Sequence, residues 1–187
     1  TAAAILLVLL GACRPAPRPD TAVMAWESFP LSFDRRLGPD QASQRLLALT
    51  HQGLLRRDAT LNLVPDACLA WRWEEPFTVL SFDFPTPETV STLGRPWPHF
   101  DDGRPLGAAD ALDTLQALAD PAFTSPKAGP FKGEIATLEV RREGPVDRLR
   151  IRLKAPNPGF ASNLVRAVVG IAPAGLRGPR LPGTGPY

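Results

Sequence analysis

The sequence predicts an α/β chain, and three stretches carry that reading. Residues 108–119 place Ala108, Ala111, Leu112, Leu115, Leu118 and Ala119 at i, i+3, i+4, i+7 spacing, with Asp110, Asp113 and Gln116 off that stripe. This is the period of an amphipathic helix. Residues 79–84 alternate, with Leu80, Phe82 and Phe84 to one side and Ser81 and Asp83 to the other. Residues 148–154 do the same, with Leu149, Ile151 and Leu153 set between Arg148, Arg150, Arg152 and Lys154. Both have the period of a half-buried strand. The length, 187 residues, suits one domain with a real core. The 22 Pro and 15 Gly predict plentiful turns.

In chain order, residues 2–10 form an apolar run too short to span a bilayer but of signal-peptide length. No basic stretch precedes it, so the sequence reads as clipped at its start. Leu10-Gly11-Ala12-Cys13 follows and resembles a bacterial lipobox, in which the Cys is acylated. An ordinary signal peptide with a chance Cys is the alternative. Residues 14–20 are rich in Pro and Arg and read as a tether. Residues 21–26 are short and apolar and read as a first strand. Asp40 can cap a helix running to about Gln52, with Ala42, Leu46, Leu49 and Thr50 as its apolar stripe and Gly53 at its C′ position. Residues 61–71 predict a turn, a short helix from Pro65 and Asp66, and an aromatic exit into a strand. Asp102-Gly103 and Pro105 supply turn chemistry ahead of the 108–119 helix. Gly107 sits at its N-cap, and Asp110 in its first turn suits the helix dipole. Strands at 135–141 and 148–154 join around residues 143–146, and a short helix follows Phe160 to about Val165.

Several functions are disfavoured by composition. A formal charge of +2, with Arg scattered along the chain, argues against a nucleic-acid partner. Two His and two Cys, with no paired spacing, argue against a metal site. With Cys13 assigned, Cys68 reads as a small buried apolar residue. The basic row at Arg148, Arg150, Arg152 and Lys154 could hold an anion. A solvated face is favoured, since Glu139 and Glu143 can lie across from it. An enzyme would need a nucleophile and a base, but Ser43 and His51 lie two helical turns apart. His51 suits a helix C-terminus. A regulator's ligand domain would need a DNA-binding segment before Thr21 and no export signal.

Motifs along residues 22–187 resemble one family. Phe100, Asp102, Gly103, Pro105, Leu106, Ala108 or Ala109, and Asp110 match its signature. So do Gly53-Leu54-Leu55 with Asp58, Leu63-Val64-Pro65 with Trp71, Asp120-Pro121 with Ser125-Pro126, and Pro156-Asn157-Pro158 with Phe160. Gly170-Ile171 with Pro173 and the closing Gly183-Thr184-Gly185-Pro186-Tyr187 complete the series. These resemble the family 5 solute-binding proteins, the peptide-, dipeptide- and nickel-binding receptors of bacterial ABC importers. Gly107 departs from the usual Thr or Ser, and residues 85–99 depart most.

The resemblance implies a periplasmic-binding-protein-like (type II) two-lobed α/β fold, about three times an ordinary domain in length. This chain then reads as its N-terminal part. It carries a signal peptide with lipobox at 1–13, a tether at 14–20 and the solute-binding domain at 21–187. Within that domain, 21–53 belongs to lobe one, 54–171 is a side subdomain and 172–187 returns to lobe one. The implied function is capture of a peptide, without catalysis or cofactor, for delivery to membrane-embedded ABC permease subunits. Nickel or a sugar as ligand, or a sensing role, are the alternatives. The protein would be a monomer in the periplasm or cell envelope, anchored through lipid on Cys13. The loop before the first helix faces the ligand cleft in peptide-binding relatives. Here it supplies Gly38, Pro39, Asp40 and Gln41, with Asp40 also a candidate helix cap.

Overall fold

The computed structural model describes residues 23–33, 40–125, 128–165, 169–176 and 182–185. The apolar run, the lipobox with Cys13, the tether, Gly38, Pro39, Pro186 and Tyr187 lie outside the described residues.

Helix α1 spans Gln41–Thr50. Asp40 caps it as expected, its carboxylate accepting from the Ser43 N–H at 2.8 Å. The buried stripe is Ala42, Ser43 and Leu47, while the predicted Leu46, Leu49 and Thr50 are half-buried. The helix ends at His51, whose backbone is extended, so Gly53 is not its C′ residue. Gly53 instead pairs with a later segment. Its N–H donates to the Asp66 carboxylate and its carbonyl accepts from the Ala67 N–H. The Asp66 N–H donates to the Leu54 carbonyl, which also prevents the short helix expected from Pro65. Strand β2 (Leu63–Pro65) runs there, paired with β1 (Leu55–Arg57).

A four-stranded antiparallel sheet follows, in the order β3-β4-β6-β5, from β3 (Ala70–Glu75), β4 (Val79–Pro85), β5 (Ile135–Glu143) and β6 (Val146–Leu153). The alternation read from sequence sets its faces. Leu80 and Phe82 lie across from Ile151 and Leu149, and all four are fully buried. Helix α2 (Ala108–Ala119) packs on β5 and β6 through Ala108, Ala111, Leu115 and Leu118. A short helix α3 (Gly129–Lys132) brings Phe131 into edge-to-face contact with Phe160 of helix α4 (Phe160–Asn163), ring centroids 6.0 Å apart. One apolar core runs from Leu54 to Ile171.

The expected first strand is not formed over its described part, Val23–Trp26. A strand exists through its ladder, and no described residue pairs with this segment. Val23 is 81% exposed and Met24 51%.

Candidate functional site

Asp40 and Gln41 are the described part of the predicted ligand loop. Gln41 opens α1 and is exposed. Asp40 is heavily used. Besides the Ser43 N–H, its carboxylate accepts from the Ser43 hydroxyl and from the Leu31 N–H, the latter at 3.2 Å. These bonds, that of the Ser43 hydroxyl first, hold its carboxyl below the usual range. The Ser32 N–H donates to the Ser43 hydroxyl at 3.1 Å. Segment 23–33 is thereby strapped across the start of α1. Between the two lies a pocket of about 360 Å³ whose walls include Trp26, Phe29, Phe33 and Leu46.

The far end of α1 is where the family-like motifs meet. The Thr184 and Gly185 N–H groups both donate to the Thr50 carbonyl, at 3.0 and 2.9 Å. The Thr184 hydroxyl accepts from the Gln52 N–H at 3.2 Å. A side chain at Gly183 would collide with the Thr50 carbonyl, and one at Gly185 with the Leu49 carbonyl. Gly-Thr-Gly is therefore the sequence that lets a backbone lie against a helix end and satisfy a carbonyl the helix leaves open.

A second junction centres on Asp110, 1% exposed. Its carboxylate accepts from both terminal nitrogens of Arg104 at 3.1 and 3.0 Å, from the Gly107 N–H at 2.9 Å and from the Ala174 N–H at 2.8 Å. Arg104 also lies over the Phe100 ring, 4.7 Å from its centroid. Periodicity placed Asp110 off the buried stripe. Its burial is a correction with a clear reason: four donors replace the water an ionised carboxylate needs. Thr114, one turn on, takes the Ala172 N–H at 3.4 Å. The signature residue Asp110, together with Thr114, thus holds the backbone at 172–174.

The three Arg residues of the basic row are engaged by carboxylates. Arg148 pairs with Asp83 at 2.7 Å and with Glu143. Arg150 pairs with Glu74 at 2.6 Å and Glu139 at 2.8 Å, and Arg152 with Glu75 at 2.9 Å. Burial pushes the Asp83 carboxyl up, but the hydrogen bonds from Arg148 and Arg72 outweigh it and hold it below its usual value. Each of these three Arg residues has a carboxylate, so a strand face balanced in charge is what the alternation produced.

His51 and Ser43 stand at opposite ends of α1. The His51 ring contacts the Thr50 hydroxyl at 2.9 Å. Cys68 is buried, donates to the Leu54 carbonyl, and has its thiol pushed up to about 12 by burial, which suits packing rather than reactivity. Among the described residues no group of His, Cys, Asp and Glu is placed to hold a metal ion, and no helix is long and apolar enough to cross a membrane.

Sequence reasoning singled out Asp40 and Gln41 but not the aromatic pocket near the start of α1. The signal was present as aromatic residues closely spaced at Trp26, Phe29 and Phe33.

No protein-family model and no curated protein matches the sequence. Solved structures do match. The PBP AgaA of A. tumefaciens R10, in complex with agropinic acid, superposes with a TM-score of 0.69 at 17% identity, over 85% of this chain and 31% of that one. The Escherichia coli murein tripeptide binding protein MppA gives 0.64 at 20% identity, over 84% and 33%. Haemophilus influenzae OppA, complexed with the peptide RPPGFSPFR, gives 0.60 at 20% identity, over 77% and 29%. The chain spans about a third of the length of the structures it matches. They are family 5 solute-binding proteins, the kind the motifs resemble. Over the part it spans, the chain has the mixed α/β fold of periplasmic binding proteins.

Proposed function

We propose that the chain is the N-terminal part of a family 5 solute-binding protein that captures peptides outside the cytoplasmic membrane for an ABC importer. The reading is that of a binding protein rather than an enzyme. The observation that carries it is the joint one of fold and motifs. The shared fold covers 85% of the chain, and the family-like residues Asp110, Gly183, Thr184 and Gly185 each have a specific structural task in it. A peptide is favoured as ligand because matched structures include a murein tripeptide binding protein and OppA complexed with a peptide. The agropinic acid complex is the reason to include opine-like ligands in the test.

In this proposal residues 21–53 and 172–187 belong to lobe one and 54–171 form the side subdomain. Gly38, Pro39, Asp40 and Gln41 border the ligand. Cys13 carries the lipid that holds a monomeric receptor at the membrane, close to its permease. More than one acyl chain is needed for stable anchoring, which lipoprotein modification supplies.

Calorimetry with a mixed library of short peptides tests the reading. A single lobe gives a flexible ligand little burial to offset its lost freedom. Residues 1–187 alone should therefore bind no better than about millimolar, worth about 4 kcal/mol. The chain joined to a second lobe should bind far more tightly. Micromolar binding by residues 1–187 would contradict the two-lobe part, and no binding by the two-lobed protein would contradict the peptide part. Metabolic labelling with a fatty-acid analogue, lost in Cys13→Ser, tests the anchor.

A further inference from the structure

The pocket beside Asp40 has a composition of its own. Trp26, Phe29, Phe33 and Leu46 give it an apolar wall, and Glu27 lines it as well. Phe29 and Phe33 meet edge to face, with ring centroids 5.9 Å apart and planes at 74°. Yet Phe29 is 78% exposed, so its ring faces outward rather than into a core. Glu27 is exposed, and among the described residues no cation pairs with it. The pocket keeps its place because the Leu31 and Ser32 N–H groups tie this segment to Asp40 and Ser43.

Aromatic faces attract cations through their quadrupole, and an unpaired carboxylate attracts them by its charge. Both act here on the same space. An anionic group would meet Glu27, so it is disfavoured. A neutral apolar group would gain the wall but nothing from Glu27. We propose that this pocket takes the cationic side chain of a bound peptide, a lysine or arginine whose apolar stem lies on Phe29, Phe33 and Leu46 and whose head meets Glu27. The proposal rests on the receptor reading and adds to it the chemistry of the ligand.

The test uses residues 1–187 labelled with 5-fluorotryptophan, which reports on four Trp residues. The Trp26 resonance is identified by its loss in Trp26→Phe. n-Butylammonium should move that resonance saturably in the millimolar range, and n-butanol should bind more weakly. Glu27→Gln, at an exposed position that leaves folding intact, should weaken butylammonium about three-fold, the scale of an exposed ion pair. The tripeptide Ala-Lys-Ala should move the same resonance, and Ala-norleucine-Ala should do so less. The pocket proposal is overturned if butylammonium leaves Trp26 unmoved, if butanol binds as well, or if Glu27→Gln changes nothing. If Ala-Lys-Ala moves other Trp resonances and not that of Trp26, the receptor reading stands and the pocket proposal fails. If butylammonium binds and no peptide does, the cation site stands and a peptide is the wrong carrier.

Discussion

Between Leu54 and Ile171 the chain closes on one apolar core, whereas the described flank, residues 23–33 and 40–51, is held largely by polar ties and close backbone contacts, within itself and to Thr184 and Gly185. In the cored region Phe82, Leu115, Leu149 and Phe160 are fully buried. In the flank Val23, Phe29 and Leu31 are more than three-quarters exposed, and α1 is secured by a cap at one end and by Thr184 and Gly185 at the other. Apolar burial is non-directional and tolerates small shifts of geometry. Caps and backbone contacts are directional and fail abruptly when one group is moved. The two regions should therefore respond differently to substitution.

The largest expected effect lies in the cored region. Leu115→Ala leaves a cavity between α2 and the sheet and should cost about 2–5 kcal/mol in denaturant unfolding. Gln116→Ala, on the exposed side of the same helix, should stay within about 0.5 kcal/mol. Equal losses would mean that the packed face of α2 is misassigned.

Next comes the flank. Gly183→Ala forces a methyl group against the Thr50 carbonyl, and overpacking of this kind costs about 1–3 kcal/mol. The effect should be local. Hydrogen exchange at Gln52 and Thr184 should quicken while the amides of β4 and β6 keep their protection. Uniform loss of protection across the sheet would show that the flank and the core unfold as one unit.

The same contrast explains what could be read from the sequence. The alternation in β4 and β6 and the stripe of α2 were legible because burial imposes a period on the residues themselves. The cap at Asp40 was legible because its partner, Ser43, is three residues away. The end of α1 was not. Gly53 looked like a local stop, but the groups that satisfy the Thr50 carbonyl come from Thr184 and Gly185, which no local pattern announces. Asp110 was misread for the same reason, since its fourth donor, Ala174, is 64 residues away. The short helix expected at Pro65 gave way to pairing with Gly53 and Leu54 across a hairpin. The resemblance to a family had marked Asp110 and Gly183–Gly185 as characteristic, and the structure supplies the physical task of each.

The charged face of the sheet should matter less than either. Arg150 bridges Glu74 and Glu139 on a partly exposed surface. Exposed ion pairs contribute about 0–1 kcal/mol, so Arg150→Met should lower stability by no more than that. The difference should shrink in high salt. A loss of several kcal/mol, insensitive to salt, would show that this face is covered by something that excludes water.

The smallest effect concerns Asp66, which accepts at 3.1 Å from the N–H of Gly53, in the short link between the two regions. Burial pushes its carboxyl above the usual value, and the bond from Gly53 and the charge of Arg56 only partly oppose that. The charged form is therefore less favoured in the folded chain than in the unfolded one. That penalty is full above the folded pKa and is relieved as pH falls through it toward the unfolded pKa. Asp66→Asn keeps an oxygen for the Gly53 N–H and removes the charge. The variant should be slightly more stable than the wild type at pH 7, and the two should converge as pH falls toward 4, the region of an unperturbed Asp. Asp40 has the opposite sign. Its carboxyl is held low, so its contribution is present above the unfolded pKa and is lost as pH falls through the folded one. Thermal unfolding of the wild type, Asp66→Asn and Asp40→Asn at several pH values separates the two. If Asp66→Asn is less stable at pH 7, the charge-assisted bond to Gly53 outweighs the cost of burial. The bond that fixes this link to the core is then an ionic one rather than a tolerated buried acid.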